Sequence, residues 1–364
     1  MRGFDPHIPP AGAGGLAPDG DGRPDQRESP RNRWPVGLAI FLAALLLLAL
    51  AALSGPLFPF RPTASDAACA VAQAGDLDAY LRAREARHDV KPGFAKQIVW
   101  NDPAARSRTA LSLIYLHGFS ASRKDISPVV EILGARLHAN VFFTRLAAHG
   151  MATANEFATV APQDWLDDAR EALAIGERIG EHTVLIGTST GALLATMVAL
   201  EGPQARIGAL VLLSPNFGVS DWRAKFLSGP LGPILARLWF GKEYWFDPEN
   251  PRHAEIWTPR FPAHGIVALM DLLNGAGTLP LARLKTPTLV LFTPADTVVD
   301  VSAIRARYHE IGERRKRIVD LGGATRHELT GAALAPETVN SVVQQIIAFL
   351  ESPEVLGPAI HGGD

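Results

Sequence analysis

Short apolar runs alternating with helix-period segments from residue 96 onward predict an α/β fold, a doubly wound, mostly parallel sheet covered by helices on both faces. Two further observations support it. Runs such as residues 110–116, 183–186 and 207–213 are apolar throughout rather than alternating, the pattern of strands buried on both sides. And residues 184–194 pass from a strand-like run through Gly187-Thr188-Ser189-Thr190-Gly191 straight into an alanine- and leucine-rich helix pattern.

The chain opens with residues 1–35, rich in Pro, Gly, Asp and Arg and almost free of large apolar side chains, which predicts a disordered tail. Residues 36–53 then run without a charge, and a transmembrane helix is predicted over residues 36–54. A cleavable signal would carry a shorter apolar region behind a short basic segment, so a retained anchor is the preferred reading. Arg23, Arg27, Arg31 and Arg33 precede the span and only Arg61 follows closely. That asymmetry predicts a cytoplasmic N-terminus, with the rest of the chain on the extracytoplasmic side. Residues 55–95 read as a proline-stiffened linker followed by a helical lead-in over residues 76–87.

The main domain is expected over residues 96–352. Strands are predicted at 110–116, 139–146, 183–186, 207–213, 288–292 and 317–321. Helices are predicted at 126–137, 162–179, 192–200, 301–311 and 338–350. The rhythm breaks over residues 217–284, where Trp222, Trp239, Phe240, Tyr244, Trp245 and Trp257 concentrate among scattered prolines. Such an insertion is either a small second core or a lid over a pocket, and Trp239 and Phe240 are candidate pocket residues. Residues 353–364 read as a disordered tail.

Composition narrows the function classes. A net charge of −2, with 20% charged residues and no long run of one sign, gives no reason to expect nucleic-acid binding. The single cysteine, Cys69, excludes an internal disulfide framework and a multi-cysteine metal site. No His-Glu-x-x-His occurs and the glycine-dense stretch near the start lies in the tail, so no metal or organic cofactor is expected.

The chemistry is expected at the glycine-flanked serine. A strand turning sharply into a helix at Ser189 needs small neighbours, which Gly187 and Gly191 supply, and it places the Thr190 amide at a helix N-terminus facing any developing anion. A serine hydroxyl needs a base, and the base an orienting acid. The strand at 288–292 ends in Thr293-Pro294-Ala295-Asp296, where a carboxylate overhangs the sheet edge. Asp300 is the alternative acid, although its place at a helix start favours an N-cap. After the last strand, His327 stands in a glycine-rich loop suited to a mobile imidazole. Upstream, the strand at 110–116 runs into His117-Gly118-Phe119, where Gly118 lets the chain turn so that the Phe119 amide becomes a second oxyanion donor. His117 and His149 are read as loop-ordering residues.

Taken together, these residues resemble the α/β-hydrolase superfamily, in particular its bacterial carboxylesterase, monoacylglycerol-lipase and lysophospholipase-like members. The resemblance covers roughly residues 96–352 and rests on His117-Gly118-Phe119, Ala148-His149-Gly150, Gly187 to Gly191, Asp296 and His327-Glu328-Leu329. Thr188 stands where the family often has a bulky residue. The resemblance implies a serine hydrolase cleaving carboxylic esters of small molecules or lipids through an acyl-enzyme, with Ser189 as nucleophile, His327 as base and Asp296 as its orienting acid. Acyl transfer to an alcohol would use the same triad. Peptide hydrolysis would also need an anion for the substrate amine, for which Glu243, Asp247, Glu249 and Glu255 are candidates. A non-catalytic binding module of this fold would be expected to lack one triad member.

Overall fold

The structure, a computed structural model, describes residues 36–53, 59–202 and 206–357. The predicted tail of residues 1–35 lies outside them. By itself, the first helix, α1 (Val36–Leu53), is an uncharged rod of 18 residues. The predicted transmembrane segment over residues 36–54 is not borne out: among the described residues no helix is long and apolar enough to cross a membrane. At 1.5 Å per residue α1 extends about 27 Å. Ser54, and the side chains of residues 48 and 50–53, lie outside what is described.

The second unit begins with α2 (Ala67–Gln73) and α3 (Leu77–Glu85). Asp76 caps α3 by accepting from the Asp78 and Ala79 amides. Val71, Leu77 and Leu81 are buried in the main core, so the latter part of the expected linker is an integral layer of the domain.

The sheet follows. In chain order come β1 (Gln97–Val99), β2 (Thr109–Leu116), α4 (Val129–Arg136), β3 (Asn140–Phe143), α5 (Pro162–Ile179), β4 (Gly180–Thr188), α6 (Thr190–Glu201) and β5 (Ile207–Leu213). The insertion contributes α7 (Gly232–Phe240), β6 (Glu243–Trp245), α8 (Pro251–Ile256), β7 (Arg260–Pro262) and α9 (His264–Ala276). The main rhythm resumes with β8 (Thr288–Phe292), α10 (Val301–Glu310), β9 (Lys316–Asp320) and α11 (Val339–Leu350). Seven strands form one sheet in the order β1-β3-β2-β4-β5-β8-β9, parallel except for the antiparallel edge pair β1–β3. β6 and β7 pair separately, with Tyr244 opposite Phe261.

Alternate residues of the central strands feed two cores, as the period of a strand requires. Ile114, Leu116, Leu185 and Leu212 pack with α5, α6 and α9 on one face. Leu113, Tyr115, Val184 and Val211 pack with α4 and α11 on the other. These central positions are fully buried.

Three boundaries differ from the sequence reading for identifiable reasons. β3 ends at Phe143 rather than 146, because Arg145 turns away to pair with Glu85 (Nε to Oε2 2.8 Å). α4 begins only after Pro128, whose ring disfavours a helical backbone in the residue before it. The tail predicted as disordered from residue 353 is in part packed: the Leu356 amide donates to the Leu350 carbonyl (3.1 Å) and its side chain is buried against Gly208. Residues 358–364 lie outside the described residues.

Candidate active site

Because β2, β4, β8 and β9 run parallel, the loops leaving their carboxyl ends open on the same edge of the sheet. Those loops carry Gly118 and Phe119, Ser189, Asp296 and His327.

Ser189 sits between β4 and α6 with φ +53° and ψ −116°, a backbone region costly for a residue with a side chain. Its surroundings fix it there. The Ser189 amide donates to the Leu213 carbonyl (2.9 Å), and its own carbonyl accepts from Ala192, Leu193 and Asn216 (3.0, 3.2 and 3.1 Å). The flanking glycines are explained by contact. A Cβ on Gly191 would lie 2.0 Å from the Leu116 oxygen, and one on Gly187 would lie 2.6 Å from the Ala192 nitrogen. Gly118 is under less constraint, since a Cβ there would meet the Ser189 Cβ at 3.6 Å, an ordinary contact.

Asp296 and His327 are joined. Nδ1 of His327 donates to Oδ2 of Asp296 at 2.7 Å, while Oδ1 accepts from the Val298 and Val299 amides (2.9 and 3.0 Å). Burial would raise the Asp296 carboxyl, but the His327 bond and charge and those two amides outweigh it and hold the group below its usual range. For His327 burial favours the neutral ring, yet the Asp296 bond and charge and the Glu328 charge win, raising it above its usual value. With Nδ1 occupied, Nε2 is the nitrogen left to act as a base. No hydrogen bond joins Ser189 to this ring; both line one cavity of about 840 Å³. Apo sites often leave that contact long until substrate binds.

Asp300 does not join the group. Its Oδ1 caps α10, accepting from the Ser302 and Ala303 amides (2.8 and 3.3 Å) and from the Ser302 hydroxyl (2.6 Å). Thr190 opens α6, so its amide has no acceptor within the helix. Phe119 is pinned by its ring, with centroids of His149, Phe157, Trp165 and Phe261 all within 5.4–5.8 Å. The next amide, Ser120, donates to Nε2 of His149 (2.9 Å). His117 Nε2 accepts from the Leu146 amide (3.1 Å). Burial pushes His117 down to about 4 and His149 well below the usual imidazole value, so both are neutral loop fasteners.

The large cavity is walled by the insertion. Trp239 and Phe240 line it, together with Leu238, Tyr244, Trp257 and Phe261. None of Glu243, Asp247, Glu249 and Glu255 reaches it. Glu249 pairs with Arg326 (2.7 Å), Glu243 with Arg260 (3.6 Å) and Glu255 with Lys124 (3.5 Å). Among the described residues no group of His, Cys, Asp or Glu is placed to hold a metal ion.

Sequence reasoning missed Asp125. A lone acid before an apolar helix reads as a cap, yet this one is buried beneath the Gly118–Phe119 turn. It accepts from the Tyr115 hydroxyl, from the Ile126 amide (2.8 Å) and from the Gly118 amide (3.2 Å). The Tyr115 hydroxyl also reaches Thr188 Oγ1 (3.0 Å), tying the turn after β2 to the last residue before Ser189. Burial pushes the Asp125 carboxyl up to about 7 against the pull of those donors.

Comparison with known proteins agrees with this architecture. No curated protein is a significant match to the chain. A solved structure described as "LipS and LipT, two metagenome-derived lipolytic enzymes" superposes with a TM-score of 0.58 at 20% identity, covering 72% of this chain and 99% of that one. The monoacylglycerol lipase of Paleococcus ferrophilus gives 0.52 at 18% identity, covering 70% and 97%. A soluble variant of the monoglyceride lipase of Saccharomyces cerevisiae gives 0.50 at 14%, covering 71% and 91%. At such identities these likenesses speak to the fold. The model of the alpha/beta hydrolase family matches residues 113–340, more than half of the sequence and the whole span from β2 into α11. The chain therefore belongs to the alpha/beta hydrolase family.

Proposed function

We propose that the protein is a serine hydrolase of carboxylic esters, lipase- or esterase-like, working through an acyl-enzyme. The observation that carries this reading is the Asp296–His327 pair opening onto the same apolar cavity as Ser189 at its constrained turn. Ser189 Oγ attacks the acyl carbonyl while His327 Nε2 takes its proton. Asp296 holds the ring in the tautomer protonated at Nδ1 and stabilises the imidazolium. The Thr190 and Phe119 amides receive the oxyanion, the imidazolium returns the proton to the leaving alcohol, and water then releases the acid.

The walls of the cavity favour an acyl chain over a peptide. Its lining is largely aromatic and aliphatic; the acids on it are Asp221, already bound to Arg223 (2.7 Å), and Glu328 beside His327. A series of p-nitrophenyl esters tests the reading: turnover is expected in the wild type and absent in Ser189→Ala. Equal turnover in the two would refute it.

Location is a separate proposal, supported by sequence alone. The uncharged run at residues 36–54 behind four arginines supports attachment of that run to a membrane. Retention in the membrane fraction after a carbonate wash is expected; full release would contradict it.

A further inference from the structure

Beside the large cavity lies a second, of about 40 Å³, walled by Gly118, Ala121, Asp125, Thr188, Thr330 and the Ser189–His327 pair. A water needs only roughly 10–15 Å³ of such volume, so this space holds a few waters and no larger ligand. Its walls are polar in a directed way. Asp125 is 4% exposed and presents its carboxylate, whose Oδ2 is bound to the Gly118 amide. Thr330 is 1% exposed, and its hydroxyl has no hydrogen-bond partner. A buried hydroxyl left unpaired costs free energy, and a water in this cavity would satisfy it. The cavity is also rigidly framed. Gly331 packs on the backbone of residue 125, where a Cβ would lie 2.2 Å from the Asp125 carbonyl oxygen, and the Ala332 amide donates to the Ser127 carbonyl (2.8 Å).

We propose that this small cavity is the water site that feeds deacylation, and that Thr330 and Asp125 position that water for His327. The inference rests on the acyl-enzyme reading above. The acyl group, too large for this space, occupies the 840 Å³ cavity, so water reaches the ester from a separate side. Its oxygen attacks the acyl carbonyl while one proton passes to His327 Nε2. The tetrahedral intermediate then expels Ser189 Oγ, which takes that proton from the imidazolium and frees the carboxylic acid. The device biases the enzyme toward hydrolysis: a bulky alcohol must enter through the large cavity, whereas water has its own compartment.

The test is product partition. With p-nitrophenyl butyrate as donor and 1-butanol as competing acceptor, the ratio of butyl butyrate to butyrate reports which nucleophile meets the acyl-enzyme. That ratio does not depend on how much enzyme is folded. Thr330→Val keeps the shape and deletes the hydroxyl; Ala121→Val adds bulk from another lining residue. Both are expected to raise the ester-to-acid ratio, by about fivefold for Thr330→Val, the worth of one hydrogen bond. Wild-type ratios in both variants would overturn the water site. Failure of the underlying reading looks different, since Ser189→Ala would then form products at the wild-type rate.

Discussion

Nδ1 of His327 lies 2.7 Å from Oδ2 of Asp296, across 31 residues of chain, and the other Asp296 oxygen is held by two amides of its own loop. This pair fixes which ring nitrogen is free, and it separates Asp296 from Asp300, whose carboxylate is committed to the first turn of α10.

Ser189→Ala, His327→Ala and Asp296→Asn are each expected to lower ester turnover by about 10⁴-fold, and any two together by little more, because the three act as a unit. Asp300→Asn should keep near-normal turnover. Steady-state kinetics with thermal melts check both statements.

The pH dependence follows from the sign of the His327 shift. The working base is the neutral ring, and the Asp296 pairing raises its pKa above the ordinary 6.5. The acid limb of kcat/KM should therefore lie above that value and move down in Asp296→Asn. Stability has the opposite slope. The pairing favours the protonated folded state, so its contribution is full below the unfolded value and fades as pH rises through the folded one. Rate profiles and urea melts from acid to mildly alkaline pH would show both limbs.

The two glycines of the turns should not behave alike. Gly191→Ala places a methyl 2.0 Å from the Leu116 oxygen, a backbone atom that cannot move aside, and should cost about 4 kcal/mol or prevent folding. Gly118→Ala meets only ordinary contacts and should shift stability by less than about 1 kcal/mol. Chemical denaturation of the two variants distinguishes them.

Chain-length preference tests the apolar cavity. Burying each substrate methylene is worth up to about 0.8 kcal/mol, a few-fold in specificity per carbon. Medium-chain esters should therefore outrun acetyl esters. Trp239→Ala and Phe240→Ala should move the preferred length without abolishing acetyl-ester turnover. A flat profile, with both variants merely less stable, would mark these aromatics as packing.

What was legible in the sequence was local. Gly187 and Gly191 could be read from the motif, and for Gly187 the reason is local, since a Cβ there would strike Ala192 in the same turn, whereas Gly191 is held to glycine by the Leu116 carbonyl of β2. The order of the central strands' loops, and with it the nearness of Asp296 and His327, followed from the parallel alternation. What was not legible depended on distant partners. β3 stops early because Glu85, sixty residues upstream, captures Arg145. Lys96 marked only where the expected domain begins, yet it is a buried cation held between Asp168 and Glu171. Asp125 gave no signal because its partners Tyr115 and Gly118 are brought to it by the fold. The packed end of the tail depends on Leu356 finding Gly208.

The most direct measurement is to map the adduct of a fluorophosphonate probe by mass spectrometry of the digested protein. A single phosphonylated peptide containing Ser189 is expected in the wild type, with labelling slowed by orders of magnitude in His327→Ala and absent in Ser189→Ala. An unlabelled wild type, or an adduct on another residue that survives in Ser189→Ala, would contradict the assignment of Ser189 as the nucleophile.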